Sequence, residues 1–237
     1  MSNIVVLGDG ILGNEIIKET KWDYISRSKD NFDITNESCF EGFFLYKGAP
    51  IWDTIVNCIA NTDTYSSDKE LHWDVNYKAV YNLVTFCNKW NIKLVHISSD
   101  FVYSNSFKEK RSELDVPVHF CNWYSYTKLL ADSVIELLSN NYLICRCTHQ
   151  VSPFKYEKAF VNRIGNFDYV SKISELIIKL INNDSSGIFN VGTNLKTMYE
   201  LAKQTKNNVT PTMCKEDYPK DTSMDINKLK RELKNLK

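Results

Sequence analysis

The stretch N-I-V-V-L-G-D-G-I-L-G, residues 3–13, decides the fold. Its first five residues carry an apolar, mostly β-branched run that ends at a glycine, which predicts a short strand buried on both faces. Gly8, Gly10 and Gly13 then form a G-x-G-x-x-G loop, and residues 11–20 predict a helix that begins inside this loop. A glycine loop between a first strand and a first helix is typical of dinucleotide-binding α/β proteins.

Each glycine of the loop has a physical role in such a site. Gly8 permits the tight turn, Gly10 lets the backbone approach a pyrophosphate, and Gly13 lets the helix pack closely on the strand. The phosphates would meet the N–H groups at the helix N-terminus, beside Ile11 and Leu12. The alternative is a strand-to-helix turn that binds no ligand.

Outward from the loop, short apolar runs alternate with segments of helical periodicity. Further strands are expected at residues 22–26, 54–59, 93–97, 142–146 and 187–191. Further helices are expected at residues 36–46 (capped by Thr35), 69–90, 124–138, 173–181 and 225–236. This alternation requires crossover connections, so the predicted fold class is α/β, a Rossmann-type doubly wound parallel sheet.

Composition excludes several classes of protein. The 237 residues carry 29 basic and 29 acidic side chains, so no global field favours nucleic acid or an anionic membrane surface. The apolar runs are too short to span a bilayer and no basic, apolar leader opens the chain, so a cytoplasmic protein is expected. The seven cysteines and four histidines show no metal-ligand spacing, which predicts reduced thiols and no metal site.

The end of the second strand predicts which dinucleotide binds. An NAD-specific site would place an acidic residue there, next to the ribose hydroxyls. This chain has S-R-S-K at residues 26–29 instead. The guanidinium of Arg27 suits a 2′-phosphate through bidentate hydrogen bonds, so the expected cofactor is NADPH. The alternative is that Arg27 and Lys29 face solvent.

A second constellation, in N-W-Y-S-Y-T-K-L-L, carries chemistry. Reduction of a ketone leaves negative charge on its oxygen, so an acid must be positioned there, and Tyr124 is the candidate. Lys128 lies one helical turn further on, where its ammonium could stabilise the phenolate and bond the nicotinamide ribose. Ser99, at the end of the fourth strand, would bond the same carbonyl oxygen. The alternative is an amphipathic helix with a packed tyrosine and a solvated lysine.

These segments resemble the extended short-chain dehydrogenases/reductases, and most closely the dTDP-4-dehydrorhamnose reductase group. The matching strings follow in family order: V-V-L-G-D-G-I-L-G (5–13), F-D-I-T (32–35), T-I-V-N-C-I-A-N-T-D (54–63), D-V-N-Y-K-A-V (74–80), H-I-S-S-D-F-V-Y (96–103), N-W-Y-S-Y-T-K-L (122–129) and G-I-F-N-V (187–191). The resemblance implies that Ser99, Tyr124 and Lys128 form a catalytic triad.

The resemblance also implies positions that contact the cofactor and the substrate. Asp33 and Ile34 would flank the adenine, Asn76 would be the family's helix asparagine, and a run after the third strand would line the cofactor, namely Cys58, Ile59 and Ala60. The substrate candidates are Ser99, Asp100, Phe101, Asn122, Lys155 and Arg163. Lys155, Lys158 and Arg163 could meet a diphosphate, and they could equally be solvated charges.

The chain departs from the family pattern in several places. The family's active-site loop is altered to C-T-H-Q at residues 147–150, and Ser125 replaces a glycine after Tyr124. Between Arg146 and the helix near Ile173 the chain is expected to lack a few dozen residues. The predicted organisation is therefore a Rossmann domain of residues 1–150, to which 167–192 return, with a small, shortened substrate lobe of residues 151–166 and 193–237.

The leading functional prediction is an NADPH-dependent enzyme that reduces the 4-keto group of a nucleotide-linked 4-keto-6-deoxy sugar, as in rhamnose-type deoxysugar synthesis. Phe101 stands where epimerase/reductases often have a cysteine, which favours a plain reductase over an epimerase/reductase. The sequence is also compatible with a non-catalytic NADP-binding regulatory protein and with a reductase of a smaller carbonyl compound. The expected partner is the nucleotide-sugar substrate, with no nucleic acid or membrane, and the sequence is compatible with a homodimer.

Overall fold

The computed structural model describes residues 3–103, 110–115, 122–215 and 218–234. Its main sheet has six strands, β1 (Ile4–Leu7), β2 (Asp23–Ile25), β3 (Thr54–Asn57), β4 (Lys93–Ser99), β5 (Tyr142–Cys147) and β6 (Gly187–Asn190). They lie in the order β2-β1-β3-β4-β5-β6, with every neighbouring pair parallel. The doubly wound parallel sheet predicted from the sequence is confirmed, with small shifts at the strand ends.

The helices are α1 (Ile11–Thr20), α2 (Arg27–Asp30), α3 (Phe40–Phe44), α4 (Lys69–Trp73), α5 (Ala79–Trp90), α6 (Trp123–Leu138), α7 (Val170–Asn182), α8 (Met198–Lys203) and α9 (Asn227–Lys234). A π-helical turn, Asp74–Lys78, joins α4 to α5. Short 3-10 turns cover Glu37–Cys39 and Asp100–Tyr103. Within the described residues, no helix combines the length and the apolarity needed to cross a bilayer.

Side chains of β1 divide between the two faces of the sheet because successive residues of a strand point to opposite sides. Val5 and Leu7 pack on the face that α3, α5 and α6 cover. Ile4 and Val6 pack on the face that α1, α7 and α9 cover. Burial on both faces explains why the strand is a continuous apolar run rather than an alternating one.

The helix predicted at residues 36–46 is wrong in its extent and in its cap. Thr35 donates its hydroxyl hydrogen to Asp33 at 2.7 Å instead of capping a helix. Leu45–Tyr46 pairs antiparallel with Ala49–Pro50. Lys47 and Gly48, between the two strands, both have positive φ, as a two-residue hairpin turn requires. The local turn chemistry therefore ends the helix early.

A smaller hydrophobic cluster lies beyond β5 and includes Phe154, Phe167, Tyr169 and Leu201. Short strands surround it, pairing Lys158–Phe160 with Thr210–Thr212, His149–Gln150 with Asp168–Tyr169, and Ile164–Gly165 with both Lys196–Thr197 and Asp221–Thr222. Helix α9, which the sequence assigned to the small lobe, packs Leu229 into the core beneath the main sheet. The predicted end of this helix at Leu236 lies outside the described residues, and the division into a domain and a lobe stays a prediction.

Candidate active site

The glycine loop between β1 and α1 has the geometry that its sequence predicts. Gly8 has φ +93°, and a Cβ there would lie 2.8 Å from the side chain of Ile59. A Cβ on Gly13 would overlap the carbonyl oxygen of Gly8, so the helix and the strand can approach only because this residue is glycine. Gly10, the N-cap of α1, has open space around it and makes no side-chain cap. The N-terminus of α1 is therefore accessible to an anionic group.

Two cavities meet at this loop, at the carboxyl ends of the strands. A cavity of about 380 Å³ lies toward β2 and one of about 510 Å³ lies toward β4 and β5, and both are lined by Gly10, Cys58 and Ala60. Every residue that the sequence assigned to the cofactor lines one or both of them. The β2 side adds Gly8, Arg27, Asp33, Ile34 and Ile59, and the β4 side adds Ile11, Leu12, Gly13 and Lys128. Together they form one groove across the switch point of the sheet.

At the β2 end of the groove, Asp9, Arg27 and Asp33 line the cavity wall. The guanidinium of Arg27 is exposed and lies 3.8 Å from the carboxylate of Asp33. Hydrogen bonds from Thr35, and then the charge of Arg27, lower the pKa of Asp33. Asp9 accepts a hydrogen bond from the hydroxyl of Ser28, which lowers the pKa of Asp9. Both carboxylates are therefore ionised and would repel an anion. The exposed guanidinium of Arg27 is the group at this end that can bind one.

Tyr124 and Ser99 meet in the wall of the larger cavity. Tyr124 lies in the first turn of α6, which begins where Asn122 accepts the N–H of Ser125 at 2.8 Å. Burial raises the pKa of Tyr124 well above its usual value, although a hydrogen bond with Ser99 opposes the shift. The backbone N–H of Phe101 donates to the hydroxyl of Ser99 at 3.2 Å. Tyr124 is therefore protonated at neutral pH, with its hydroxyl beside that of Ser99.

Lys128 lies in the same cavity wall, but its amine faces strand β4. Its Nζ donates to the carbonyl of Ile97 at 2.7 Å and lies 2.9 Å from Nε2 of His96. Burial lowers the pKa of Lys128 to about 8. The sequence predicts an ammonium that stabilises a tyrosine phenolate, whereas here the pKa of Tyr124 is raised, chiefly by burial.

His96 links Lys128 to the end of β3. Asn57 accepts the N–H of Ile59 at 3.0 Å through its amide oxygen, which leaves its amide nitrogen to donate to Nδ1 of His96 at 3.4 Å. The imidazole proton then lies on Nε2, facing the amine of Lys128. Burial, and then the nearby charge of Lys128, hold the pKa of His96 well below its usual value.

The substrate candidates from the sequence divide into two groups. Phe101 and Arg163 line the larger cavity with Ser99. The carboxylate of Asp100 is buried and accepts hydrogen bonds from the hydroxyls of Thr148 and Thr222. Asn122 and Lys155 are absent from the cavity wall that the described residues form, since Asn122 caps α6 and the amine of Lys155 lies over the ring of Tyr156.

The larger cavity also contains residues that sequence reasoning missed. His149 lines it, its Nδ1 is buried with no partner among the described residues, and burial lowers its pKa to about 4. Tyr218 lies between the strands Thr210–Thr212 and Asp221–Thr222, with its ring centroid 5.6 Å from that of Phe101. The altered string at residues 147–150 could have pointed to His149, whereas no motif surrounds Tyr218.

Asn76 holds the loop after β3 in place. It lies in the π-helical turn, accepts the backbone N–H of Asn61 at 2.8 Å and donates to the carbonyl of Asn61 at 2.9 Å. Its amide also donates to the hydroxyl of Thr127 on α6 at 3.2 Å. The loop that lines both cavities is thereby tied to the helix that carries Tyr124 and Lys128.

This fold and this groove define an extended short-chain dehydrogenase/reductase. The chain belongs to the family described as the RmlD substrate binding domain, whose model matches residues 1–168. Among curated proteins, none matches its sequence.

Several solved structures share the fold. The dTDP-4-dehydrorhamnose reductase of Bacillus anthracis, in complex with NADP, is 23% identical, with 98% of this chain and 92% of that chain covered and a TM-score of 0.81. The Clostridium acetobutylicum dTDP-4-dehydrorhamnose reductase is 21% identical, with coverages of 98% and 99% and a TM-score of 0.79. The ADP-L-glycero-D-manno-heptose-6-epimerase of Helicobacter pylori is 19% identical, with coverages of 98% and 90% and a TM-score of 0.76. The chain is thus related to enzymes that modify sugar nucleotides.

Proposed function

We propose that this protein is an NADPH-dependent reductase of the 4-keto group of a nucleotide-linked 4-keto-6-deoxy sugar. Membership of the RmlD substrate binding domain family supports the substrate class. The likeness to a dTDP-4-dehydrorhamnose reductase in complex with NADP supports the cofactor. The observation that carries the proposal is the hydrogen bond between Tyr124 and Ser99 in the cavity that the glycine loop also lines.

The groove suits a dinucleotide in both shape and chemistry. The open space at Gly10 and the N-terminus of α1 would receive the pyrophosphate. Arg27 would hold the 2′-phosphate, exchanging its contact with Asp33 for two bonds to the phosphate. When bound, the reduced nicotinamide supplies the hydride. Asp33 and Ile34 would flank the adenine, and Cys58, Ile59 and Ala60 would line the middle of the cofactor.

The residues of the larger cavity would handle the proton. Tyr124 would donate its phenolic proton to the carbonyl oxygen as negative charge develops there. Ser99 would donate a hydrogen bond to the same oxygen, with its hydroxyl oriented by the N–H of Phe101. The ammonium of Lys128 would hold the nicotinamide ribose and stabilise the phenolate that Tyr124 becomes.

Oxidation of NADPH with a panel of nucleotide-linked 4-keto sugars tests the proposal. Tyr124→Phe should reduce kcat by roughly 10²–10⁴-fold, the usual contribution of a positioned acid. Tyr126→Phe is the matched control, since it removes a hydroxyl from the same helix away from the cavity wall, and it should leave kcat unchanged. No turnover with any member of the panel, or full activity in Tyr124→Phe, would refute the reductase.

Cofactor preference is tested separately by measuring the affinities of NADPH and NADH. The wild-type protein should bind NADPH more tightly, and Arg27→Ala should remove most of the difference. Equal affinities in the wild-type protein would refute the role of Arg27.

An epimerase/reductase is the second candidate, supported by the fold shared with the Helicobacter pylori epimerase. Phe101 counts against it, because an aromatic ring provides no group that could carry a proton at this position. A non-catalytic NADP-binding protein would not need the contact between Ser99 and Tyr124. A reductase of a smaller carbonyl compound would make no use of the buried guanidinium of Arg163 in the same cavity.

A further inference from the structure

His149 is a polar residue in the wall of the larger cavity, and the proposed proton transfer makes no use of it. It lines this wall together with Ser99 and Tyr124. Its Nδ1 is buried and has no hydrogen-bond partner in the described part of the chain. Buried polar groups normally have partners, so an imidazole kept here at a cost in stability indicates a role in binding.

The position of His149 follows from the pairing of two strands. Ser99, the last residue of β4, pairs in register with Cys147, the last residue of β5. His149 comes two residues after Cys147, and alternate residues of an extended chain point to the same side. Thr148, between them, donates its hydroxyl hydrogen to the carboxylate of Asp100, so this part of the chain stays beside the end of β4. His149 therefore lies on the side of Ser99, about 7 Å further along the strand direction.

The backbone of His149 is held by a strand, and no ion pair engages its ring. His149–Gln150 pairs parallel with Asp168–Tyr169, and Asp168 stands opposite His149 in register. The carboxylate of Asp168 accepts hydrogen bonds from Thr193 and Lys196. Burial is the cause of the lowered pKa of His149, without a contribution from any charged group in the described part of the chain. The imidazole is thus fixed in place and still available to a ligand.

The imidazole is an uncharged hydrogen-bond donor. Its pKa is lowered to about 4, so at neutral pH the ring carries a single proton. A buried N–H without an acceptor is rarer in folded proteins than a buried acceptor without a donor, which assigns this proton to Nε2 and leaves Nδ1 bare. Because Nδ1 is buried, the edge of the ring that carries Nε2 is the edge presented to the cavity.

We propose that His149 selects the sugar by donating a hydrogen bond from Nε2 to the oxygen of the 3-hydroxyl, the hydroxyl next to the keto carbon. The inference rests on the proposed function and adds a residue that decides which sugar is accepted. When the keto oxygen lies beside Tyr124 and Ser99, the 3-hydroxyl is the polar substituent nearest to it, because the carbon on the other side of the keto group carries a methyl group.

The chemistry of an uncharged imidazole suits this task. A neutral N–H binds a hydroxyl oxygen without attracting the diphosphate of the same substrate away from its own position. A site built to bond a hydroxyl also rejects an analogue that lacks it, because the polar group of the protein is then left unpaired. The expected result is discrimination against 3-deoxy sugars.

Calorimetric titration of the free protein with dTDP-6-deoxyglucose and with its 3-deoxy analogue tests the inference, because neither ligand needs the cofactor or turnover. The wild-type protein should bind dTDP-6-deoxyglucose at least about tenfold more tightly than the analogue. His149→Phe keeps a planar ring but removes the N–H, so it should weaken binding of dTDP-6-deoxyglucose by the same factor. Its affinity for the 3-deoxy analogue should stay unchanged, which also shows that the variant is folded.

His149→Gln is the matched conservative variant. Its side-chain amide can place an N–H close to the position of Nε2, so part of the preference for the 3-hydroxyl should return. Nitrogen-15 NMR of histidine-labelled protein gives a second readout, in which the resonances missing from His149→Phe identify this ring. They should show a neutral ring protonated at Nε2, and the Nε2 resonance should shift with dTDP-6-deoxyglucose but not with the 3-deoxy analogue.

Absence of dTDP-6-deoxyglucose binding, equal affinity of the wild-type protein for the two ligands, or a preference that survives in His149→Phe would overturn the inference. A ring protonated at Nδ1 would overturn it as well, since Nε2 could then not donate. If the 3-hydroxyl is selected as expected but no 4-keto sugar is reduced, the sugar site stands and the proposed reductase falls. Reduction of a 4-keto sugar and of its 3-deoxy analogue with equal kcat/KM would remove the role of His149 and leave the reductase in place.

Discussion

Burial in the cavity wall gives Lys128 a pKa below that of an ordinary lysine, and this shift can be measured. Its pKa is lowered to about 8 by burial, with His96 in contact and with Asp132, Cys58 and Cys147 the other titratable groups around it. We predict that NMR of lysine-labelled protein will show one ε-carbon that titrates near pH 8, while exposed lysines titrate near their usual pKa of about 10.4. Lys128→Met should remove this resonance. A protein in which every lysine titrates together above pH 10 would contradict the prediction.

The same shift has a consequence for stability. On unfolding, the pKa of Lys128 returns to its ordinary value of 10.5, so between pH 8 and pH 10.5 the unfolded chain binds more protons than the folded chain. The contribution of Lys128 to the free energy of unfolding therefore rises with pH across this window. Below pH 8, Lys128 is charged in both states, and the full penalty for burying the ammonium lowers the free energy of unfolding.

The structure places all three catalytic candidates in the wall of the larger cavity, but only some of the substrate candidates. Ser99, Tyr124 and Lys128 come together because Ser99 ends strand β4 while Tyr124 and Lys128 lie one turn apart near the start of α6, and such positions can be read from the sequence. Arg163 and Tyr218 lie in irregular segments, where spacing gives no information about which side chain reaches the cavity. His149 stands out in the sequence only as a departure from a pattern.

At the scale of elements, the helix predicted at residues 69–90 is continuous but contains the π-helical turn Asp74–Lys78. Such turns place a side chain out of the regular helical pattern and are frequent at functional sites. Here the turn aims Asn76 at the loop that follows β3. Periodicity in the sequence predicts the helix but not a single extra residue in one turn.

We predict that Asn76→Ala weakens cofactor binding as well as stability. It leaves the backbone N–H and carbonyl of Asn61 without their bonds to Asn76 and removes the bond that Thr127 accepts, and an unsatisfied buried polar group costs about 1–3 kcal/mol. Because Asn61 lines the β2 end of the groove, the affinity for NADPH should fall too. Lys78→Ala, at the exposed end of the same turn, is the control. Equal effects of the two substitutions on NADPH affinity would contradict the role of Asn76.

The main strands could be predicted because each is an apolar run buried on both faces, as β1 and β3 show. The hairpin Leu45–Tyr46 with Ala49–Pro50 was missed because the aromatic residues before it have helical spacing. The strands around the smaller cluster were missed because pairs such as Ile164–Gly165 and Asp221–Thr222 are two residues long and distant in sequence. Only tertiary packing defines strands of that length.

At the scale of the whole molecule, a buried ion pair joins the main sheet to the helix of the active site. Arg146 on β5 donates to the carboxylate of Asp132 on α6 at 2.9 Å and to the hydroxyl of Tyr103 at 2.6 Å. Tyr103 in turn donates to Asn190 on β6 at 3.1 Å. Strands β5 and β6, helix α6 and the turn after β4 therefore share one polar network.

We predict that Asp132→Ala lowers the free energy of unfolding by about 3–5 kcal/mol, because it leaves the guanidinium of Arg146 buried without its carboxylate. The side chains of this pair are 1% and 2% exposed. In the pair of Glu41 and Lys89 the side chains are 61% and 60% exposed, and Glu41→Ala should cost only about 0–1 kcal/mol since water screens and solvates both charges. Urea unfolding of both variants measures the difference, and equal losses would show that burial does not make the Arg146 pair more important for stability.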